Sequence, residues 1–297
     1  MAPTIHIVRH AQGFHNTVID SELHDPELNP LGLTQCSKLA SEFPYMNQVQ
    51  VLLASPMQRT IQTALIGFEP IVQKTRVALV PGLQEFGTSQ NDTGSSRDAL
   101  ETKWGTGTLI YDLLEPNWTD KSVGSPYSPL VVAARAQSVR LYIRTIAQHY
   151  RDTDASIVVV THGNFIKYLT GDMNANWANA EYRSYQFQDL RGRDHYAGLV
   201  ETAESLSRRP APKPAPEPPI LSTSNLTSPT ETQQTGSNST VPAPVPSTTN
   251  LTSWSWASLG ASSMEANATG TNSSASNPVS TPNTSEVPQW HTLLGLQ

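Results

Sequence analysis

Cysteine is almost absent from this chain: Cys36 stands alone in 297 residues, so no intrachain disulfide can form. The fold must therefore be held by its core, and a reducing, cytoplasmic setting is the expectation. Positive charge is also short, with 19 Lys and Arg against 25 Asp and Glu and a formal net charge of -6. That balance gives no reason to expect nucleic acid as a partner. No apolar run is long enough to span a bilayer, and the opening residues read as a strand rather than a secretory leader, so no membrane partner is expected.

The final third lacks the apolar residues that make a core. From 204 to 297 the chain is dominated by Pro, Ser, Thr, Asn, Gly and Ala, as in Arg208-Arg209-Pro210-Ala211-Pro212-Lys213-Pro214-Ala215-Pro216. Such a segment cannot bury enough surface to offset its ordering entropy. The expected organisation is one folded domain over 1–203 and a disordered Pro/Ser/Thr/Asn-rich tail over 204–297. The tail carries Asn-X-Ser/Thr sequons at Asn225, Asn238, Asn250, Asn267, Asn272 and Asn283, read as a by-product of its composition. Its isolated Trp254, Trp256 and Trp290 leave a weak docking role open.

Against that background one stretch stands out: Ile5-His6-Ile7-Val8-Arg9-His10-Ala11-Gln12-Gly13-Phe14-His15-Asn16. Its β-branched first half reads as a buried strand. A guanidinium, an imidazole and an amide then gather at the strand's carboxyl end, where open α/β sheets place their ligands. Arginine offers a planar fork matched to phosphate oxygens, and an imidazole with a free lone pair can attack phosphorus. By itself the Arg9-His10 pair is also what two solvated residues at a strand end would look like.

Further along, Asn29-Pro30 reads as a cap and first helical position, with Leu31, Leu39 and Phe43 facing the sheet. A strand over 49–54 follows, and Ser55-Pro56 repeats the cap-and-proline device to open a helix that carries Arg59. A third strand, 76–80, leads into Pro81-Gly82-Leu83-Gln84-Glu85. If Glu85 is buried beside a phosphate dianion, its pKa rises and it is kept protonated as a general acid. Residues 88–129 read as an excursion over the active rim, whose aromatics Trp104, Tyr111 and Trp118 are more simply packing than a ligand cage. Its few cations favour a monophosphate on an uncharged or apolar body. A helix follows over 130–150, with Val131, Ala134, Val139, Tyr142, Ile143 and Ile146 as its apolar stripe and Arg135, Arg140 and Arg144 as its wet face. The run 156–160 is a central strand that delivers Thr161-His162-Gly163-Asn164. Strands over 185–190 and 196–200 close the domain.

Taken together, Arg9-His10, Ser55-Pro56-X-X-Arg59 with Gln62-Thr63-Ala64, Glu85, and Thr161-His162-Gly163 resemble the histidine phosphatase, or phosphoglycerate-mutase-like, superfamily. The resemblance covers about the first 200 residues and leaves the tail unmatched. With Gly13-Phe14-His15-Asn16 and Leu83-Gln84-Glu85 ahead of Asp92-Thr93-Gly94, the chain is similar to the fungal mutase-like phosphatases within it. The resemblance implies a three-layer α/β/α sandwich with a mixed, mainly parallel sheet, a phosphohistidine intermediate, no cofactor and no metal. It casts His10 as nucleophile, Arg9, Arg59 and His162 as holders of the phosphoryl oxygens, Asn16 as an auxiliary contact and Glu85 as proton donor. Ala11 departs from the family pattern, which has Gly after the nucleophilic His. The expected activity is a phosphomonoesterase acting on a small phosphate ester. Mutase-type phosphoryl transfer and a non-catalytic phosphate-binding module stay open as alternatives.

Overall fold

The computed structural model describes residues 2–17, 22–193 and 195–209. Beyond 209 the expected tail, with its sequons and tryptophans, lies outside the described residues.

In chain order the elements are β1 (Thr4–Arg9), α1 (Pro30–Glu42), β2 (Val49–Ala54), α2 (Gln58–Gly67), α3 (Glu69–Val72), β3 (Val77–Leu79), α4 (Arg97–Trp104), β4 (Leu109–Ile110), α5 (Val132–His149), β5 (Ser156–Thr161), α6 (Gly163–Thr170), β6 (Tyr182–Phe187), β7 (Leu199–Glu201) and α7 (Ala203–Arg208). The strands form one sheet in the order β4-β3-β2-β5-β1-β6-β7. Pairing from β4 through β1 is parallel, whereas β6 and β7 are added antiparallel. This is the expected mixed, mainly parallel α/β architecture.

Alternation along the strands divides the core into two layers. Ile5 and Ile7 of β1, Leu53 of β2 and Ile157 and Val159 of β5 pack with Val139, Ile143 and Phe165 of α5 and α6. On the other face Val8, Leu52, Val158 and Val160 pack with Leu39, Ile61 and Ala64 of α1 and α2. With β1 and β5 adjacent and in parallel register, Arg9 opposite Thr161, the sheet centre is buried on both sides. The residues that follow these two strands emerge side by side.

Four local readings need correction. In α1 the buried positions are Gly32, Cys36 and Leu39, so Leu31 is out of phase with the stripe and is 52% exposed. In phase with the stripe, Gly32 lies so close to the loop after β1 that a Cβ there would stand 2.1 Å from the Gln12 carbonyl oxygen. Ser55 does not cap α2. That end is capped from afar, by the buried Asp25 carboxylate accepting from Gln58 N at 3.0 Å. On α5, Arg135 and Arg144 are buried, in phase with Val132, Ala136, Val139 and Ile143, while Ala134 is exposed. The guanidinium of Arg135 donates to the Gln84 carbonyl at 2.9 Å and lies 4.7 Å from the Phe165 ring centroid. Finally, α7 crosses the boundary expected at 203, with Ser205 Oγ accepting from the Ser184 amide of β6 at 3.0 Å.

Candidate active site

Strand ends supply the centre of the site. His10 follows β1, buried, and its backbone amide donates to Thr161 O at 2.9 Å. Its Nδ1 lies 2.8 Å from the Ala11 carbonyl oxygen. A carbonyl can only accept, so Nδ1 carries the proton and Nε2 keeps its lone pair. Burial, first, and then the charge of Arg59 hold the imidazole well below its ordinary pKa, so it is neutral. The methyl of Ala11 packs with Leu28 and Cys36. Its amide donates to Thr63 Oγ1 at 3.0 Å, which ties the nucleophile loop to α2.

His162 caps α6 and is fully buried, its ring centroid 5.2 Å from that of His10. The Ser55 hydroxyl is used here, 2.8 Å from His162 Nε2, and His162 Nδ1 has no protein partner. This ring too is pushed far below its ordinary pKa by burial and then by Arg59.

The two guanidiniums complete the set. Arg9 donates from Nη1 to the Trp177 carbonyl at 2.5 Å. Arg59, 1% exposed, donates to Asn91 O at 2.7 Å and to the Asp92 carboxylate at 3.2 Å. In both arginines Nε is buried and without a partner. Gly163 fits tightly here, because a Cβ would stand 3.1 Å from Arg9 Nε.

Glu85 is buried, one oxygen accepting from Phe86 N at 3.2 Å and the other from Asn164 N at 3.1 Å. Burial, and next the Asp92 carboxylate, raise its pKa. Asn16 is exposed at the rim, its Oδ1 accepting from Gly13 N at 3.0 Å.

Arg9, His10, Asn16, Arg59 and Glu85 line one cavity of about 410 Å³. His162 adjoins His10 but does not line the cavity. The outer wall carries Asn91, Asn164, Lys167, Asn174, Asn176 and Trp177. The aromatics of 88–129 do not line it: Trp118, Tyr111 and Tyr127 are buried in the core layer with α2. Of the uncharged or apolar body expected, the wall speaks against the apolar form, since it offers amides and an ammonium.

Sequence reasoning used His15 and Asp92 only as parts of motifs, with no role assigned, and passed over Lys121. His15 lines the cavity, and the Asn16 amide lies 3.1 Å from its Nε2, which leaves Nδ1 as a buried donor with no partner. Burial, followed by Arg59 and Arg9, lowers its pKa to about 3. Its place beside Asn16 was the available signal. Among the described residues no group of three or more His, Cys, Asp or Glu is arranged to hold a metal ion.

The sequence pattern of the histidine phosphatase superfamily (branch 1) matches residues 5–191. The chain belongs to that superfamily. An Arabidopsis thaliana phosphoglycerate mutase-like protein is 40% identical to this chain over 76 residues, 22% of this chain and 28% of that protein. A Schizosaccharomyces pombe protein described as a probable phosphatase is 31% identical over 106 residues, 34% of this chain and 49% of that one. The chain therefore spans less than half the length of either relative. Among solved structures, an Entamoeba histolytica phosphoserine phosphatase variant in complex with phosphoserine is 18% identical, covering 68% of this chain and 95% of that one at a TM-score of 0.43.

Proposed function

We propose that this histidine phosphatase is a metal-independent phosphomonoesterase that works through a phosphohistidine on His10. The observation that carries the reading is the hydrogen bond from His10 Nδ1 to the Ala11 carbonyl. It leaves a neutral Nε2 lone pair beside two guanidiniums with unused buried donors. In the first step Nε2 attacks phosphorus, the ester P–O bond breaks, and Glu85 passes its proton to the departing alkoxide. Arg9 and Arg59 hold the equatorial oxygens, with Asn16 at the rim and His162 packed against His10. In the second step water attacks the phosphohistidine, giving its proton to the Glu85 carboxylate, and Nε2 departs. Phosphate and the resting enzyme result.

Charge neutralisation comes from the arginines, so a chelator is expected to leave turnover unchanged. The amide-rich wall fits a small polar alcohol as leaving group. The folded unit proposed to carry this activity is the segment expected at 1–203, extended through α7, and its setting is cytoplasmic.

The test is phosphate release from a panel of small phosphate esters, run beside a coupled assay with phosphoglycerates. The reading expects free phosphate as the product. Efficient transfer to a phosphoglycerate acceptor with little free phosphate would establish the mutase alternative. Binding of phosphate without turnover of any ester would leave only the module.

A further inference from the structure

Lys121 has no role in the reaction just described, yet its ammonium is spent entirely on the loop that carries the acid. Nζ donates to the carbonyl of Glu85 at 2.7 Å, to that of Gly87 at 2.9 Å and to that of Asp92. An ammonium has three donors, and here three backbone carbonyls take all of them. The carbonyls come from both ends of one loop. The first belongs to Glu85 itself, and the last to the residue whose carboxylate grips Arg59. Between them the loop is drawn tight: a Cβ on Gly87 would stand 2.0 Å from Asp92 Oδ2.

We infer that Lys121 is a positioning residue for the acid step, gathering the Glu85, Gly87 and Asp92 carbonyls around one cation so that the Glu85 carboxyl stays fixed at the mouth of the cavity. Three carbonyl dipoles aimed at one point repel each other unless a positive charge sits between them. A neutral side chain of the same length fills the space without holding the loop. The inference rests on Glu85 being the proton donor. A surface ion pair would be screened and weak, but this ammonium is secluded. Burial pushes it down to about 7, with Asp92 and Glu85 opposing that fall and Arg135 and Arg59 adding to it, so the three-donor ammonium is fully formed on the acid side of that value. His162 also feels its charge.

General-acid assistance matters most when the leaving group is a poor one, which gives a readout that a loss of packing would not reproduce. Lys121→Met is expected to lower kcat for alkyl phosphates by on the order of tenfold, while hydrolysis of p-nitrophenyl phosphate changes by no more than about threefold. In a Glu85→Gln background the same substitution is expected to add nothing further, because Lys121 acts through Glu85. Equal loss on both substrates, or a full additional loss in the double variant, would overturn the inference. Glu85→Gln alone serves as the control: if it does not discriminate alkyl from aryl esters, the assignment of Glu85 fails, and Lys121 is not to blame. Should Lys121→Met fail to fold, Lys121→Gln keeps two amide donors for the three carbonyls, and its alkyl-specific loss should be smaller but of the same kind. A loss shared by both substrates in Lys121→Gln would count against the inference as well.

Discussion

His6 and His10 lie on the same strand line, four positions apart, and both imidazoles are buried. Burial is also the main reason that each is held below its ordinary pKa. They differ in what their nitrogens touch. His6 has both satisfied, by Ser184 Oγ at 2.9 Å and Ser156 Oγ at 3.1 Å, and stacks on Tyr45 with centroids 4.6 Å apart. His10 has one nitrogen held by its own chain and the other left over, in a cavity shared with two guanidiniums and with the imidazoles of His15 and His162 packed near its ring. A buried neutral histidine is thus not by itself a sign of chemistry. The unspent nitrogen and the cations around it are.

The largest effect should come from exchanging the fates of the two residues. His10→Ala is expected to lower kcat by on the order of 10⁴-fold with little change in Tm. His6→Ala should do the reverse. It strands the Ser156 hydroxyl, leaves Ser184 Oγ only its bond from Arg208 and opens a cavity, costing roughly 2–4 kcal/mol of stability while kcat per folded molecule is unchanged. Denaturant titration beside steady-state kinetics reads both, and a matching loss of activity in the two variants would erase the distinction.

Glu85→Gln should lower kcat for alkyl phosphates by roughly 10²- to 10³-fold. It should also remove the fall in stability that Glu85 causes as pH rises toward neutrality. The sign follows from the raised pKa: as pH climbs through the ordinary carboxylate range the unfolded chain ionises and the folded one does not. Stability is therefore lost until the raised pKa is passed. The glutamine removes that pH-dependent loss, while its NH2 incurs a pH-independent cost against the Phe86 or Asn164 N–H. Unfolding free energies measured across pH check it, and a variant whose stability falls over the same pH range as the parent's contradicts it.

The acid limb of stability is shared by His6, His10, His15 and His162, all of which are lowered. Each is neutral when folded and protonated in the unfolded chain below its ordinary pKa, so stability falls as pH drops from there toward the lowered folded value. For His6, brought from 6.5 to about 3, the full loss is roughly 5 kcal/mol. His6→Gln should flatten that limb over this window, whereas His10→Gln should leave the His6 share intact. Unchanged acid sensitivity in His6→Gln would contradict the assignment.

Smallest is the effect of Gly163→Ala. Its Cβ, 3.1 Å from Arg9 Nε, moves the guanidinium by a few tenths of an ångström, and a fall in kcat/KM of less than about tenfold is expected. Saturation kinetics with an unchanged Tm would sharpen the claim that Arg9 is placed by contact.

The comparison also explains what could be read from residue order. Arg9, His10 and His162 were legible because short β-branched runs fix where strands end, and parallel strands bring those ends together. Arg59 and Glu85 followed from the same rim rule. Asp25, Lys121 and Arg135 were not legible, because each acts on backbone far away in sequence: Asp25 on α2, Lys121 on the Glu85 loop, Arg135 on Gln84. No local pattern marks such a partner. Arg135 was even in phase with the buried stripe of α5. Its charge argued for solvent, and only the Gln84 carbonyl and Phe165 ring make its burial tolerable. Leu31 misled in the opposite way, since the in-phase position beside it had to be glycine to let the nucleophile loop approach.

The most direct measurement is an alkaline quench of the enzyme during turnover, followed by peptide mapping and phosphorus NMR of the modified histidine. The account predicts a single phosphoryl group on Nε2 of His10, because Nδ1 is occupied by the Ala11 carbonyl. A phosphoryl group on Nδ1, on His15 or His162, or steady turnover with no phosphoenzyme at all, would contradict it.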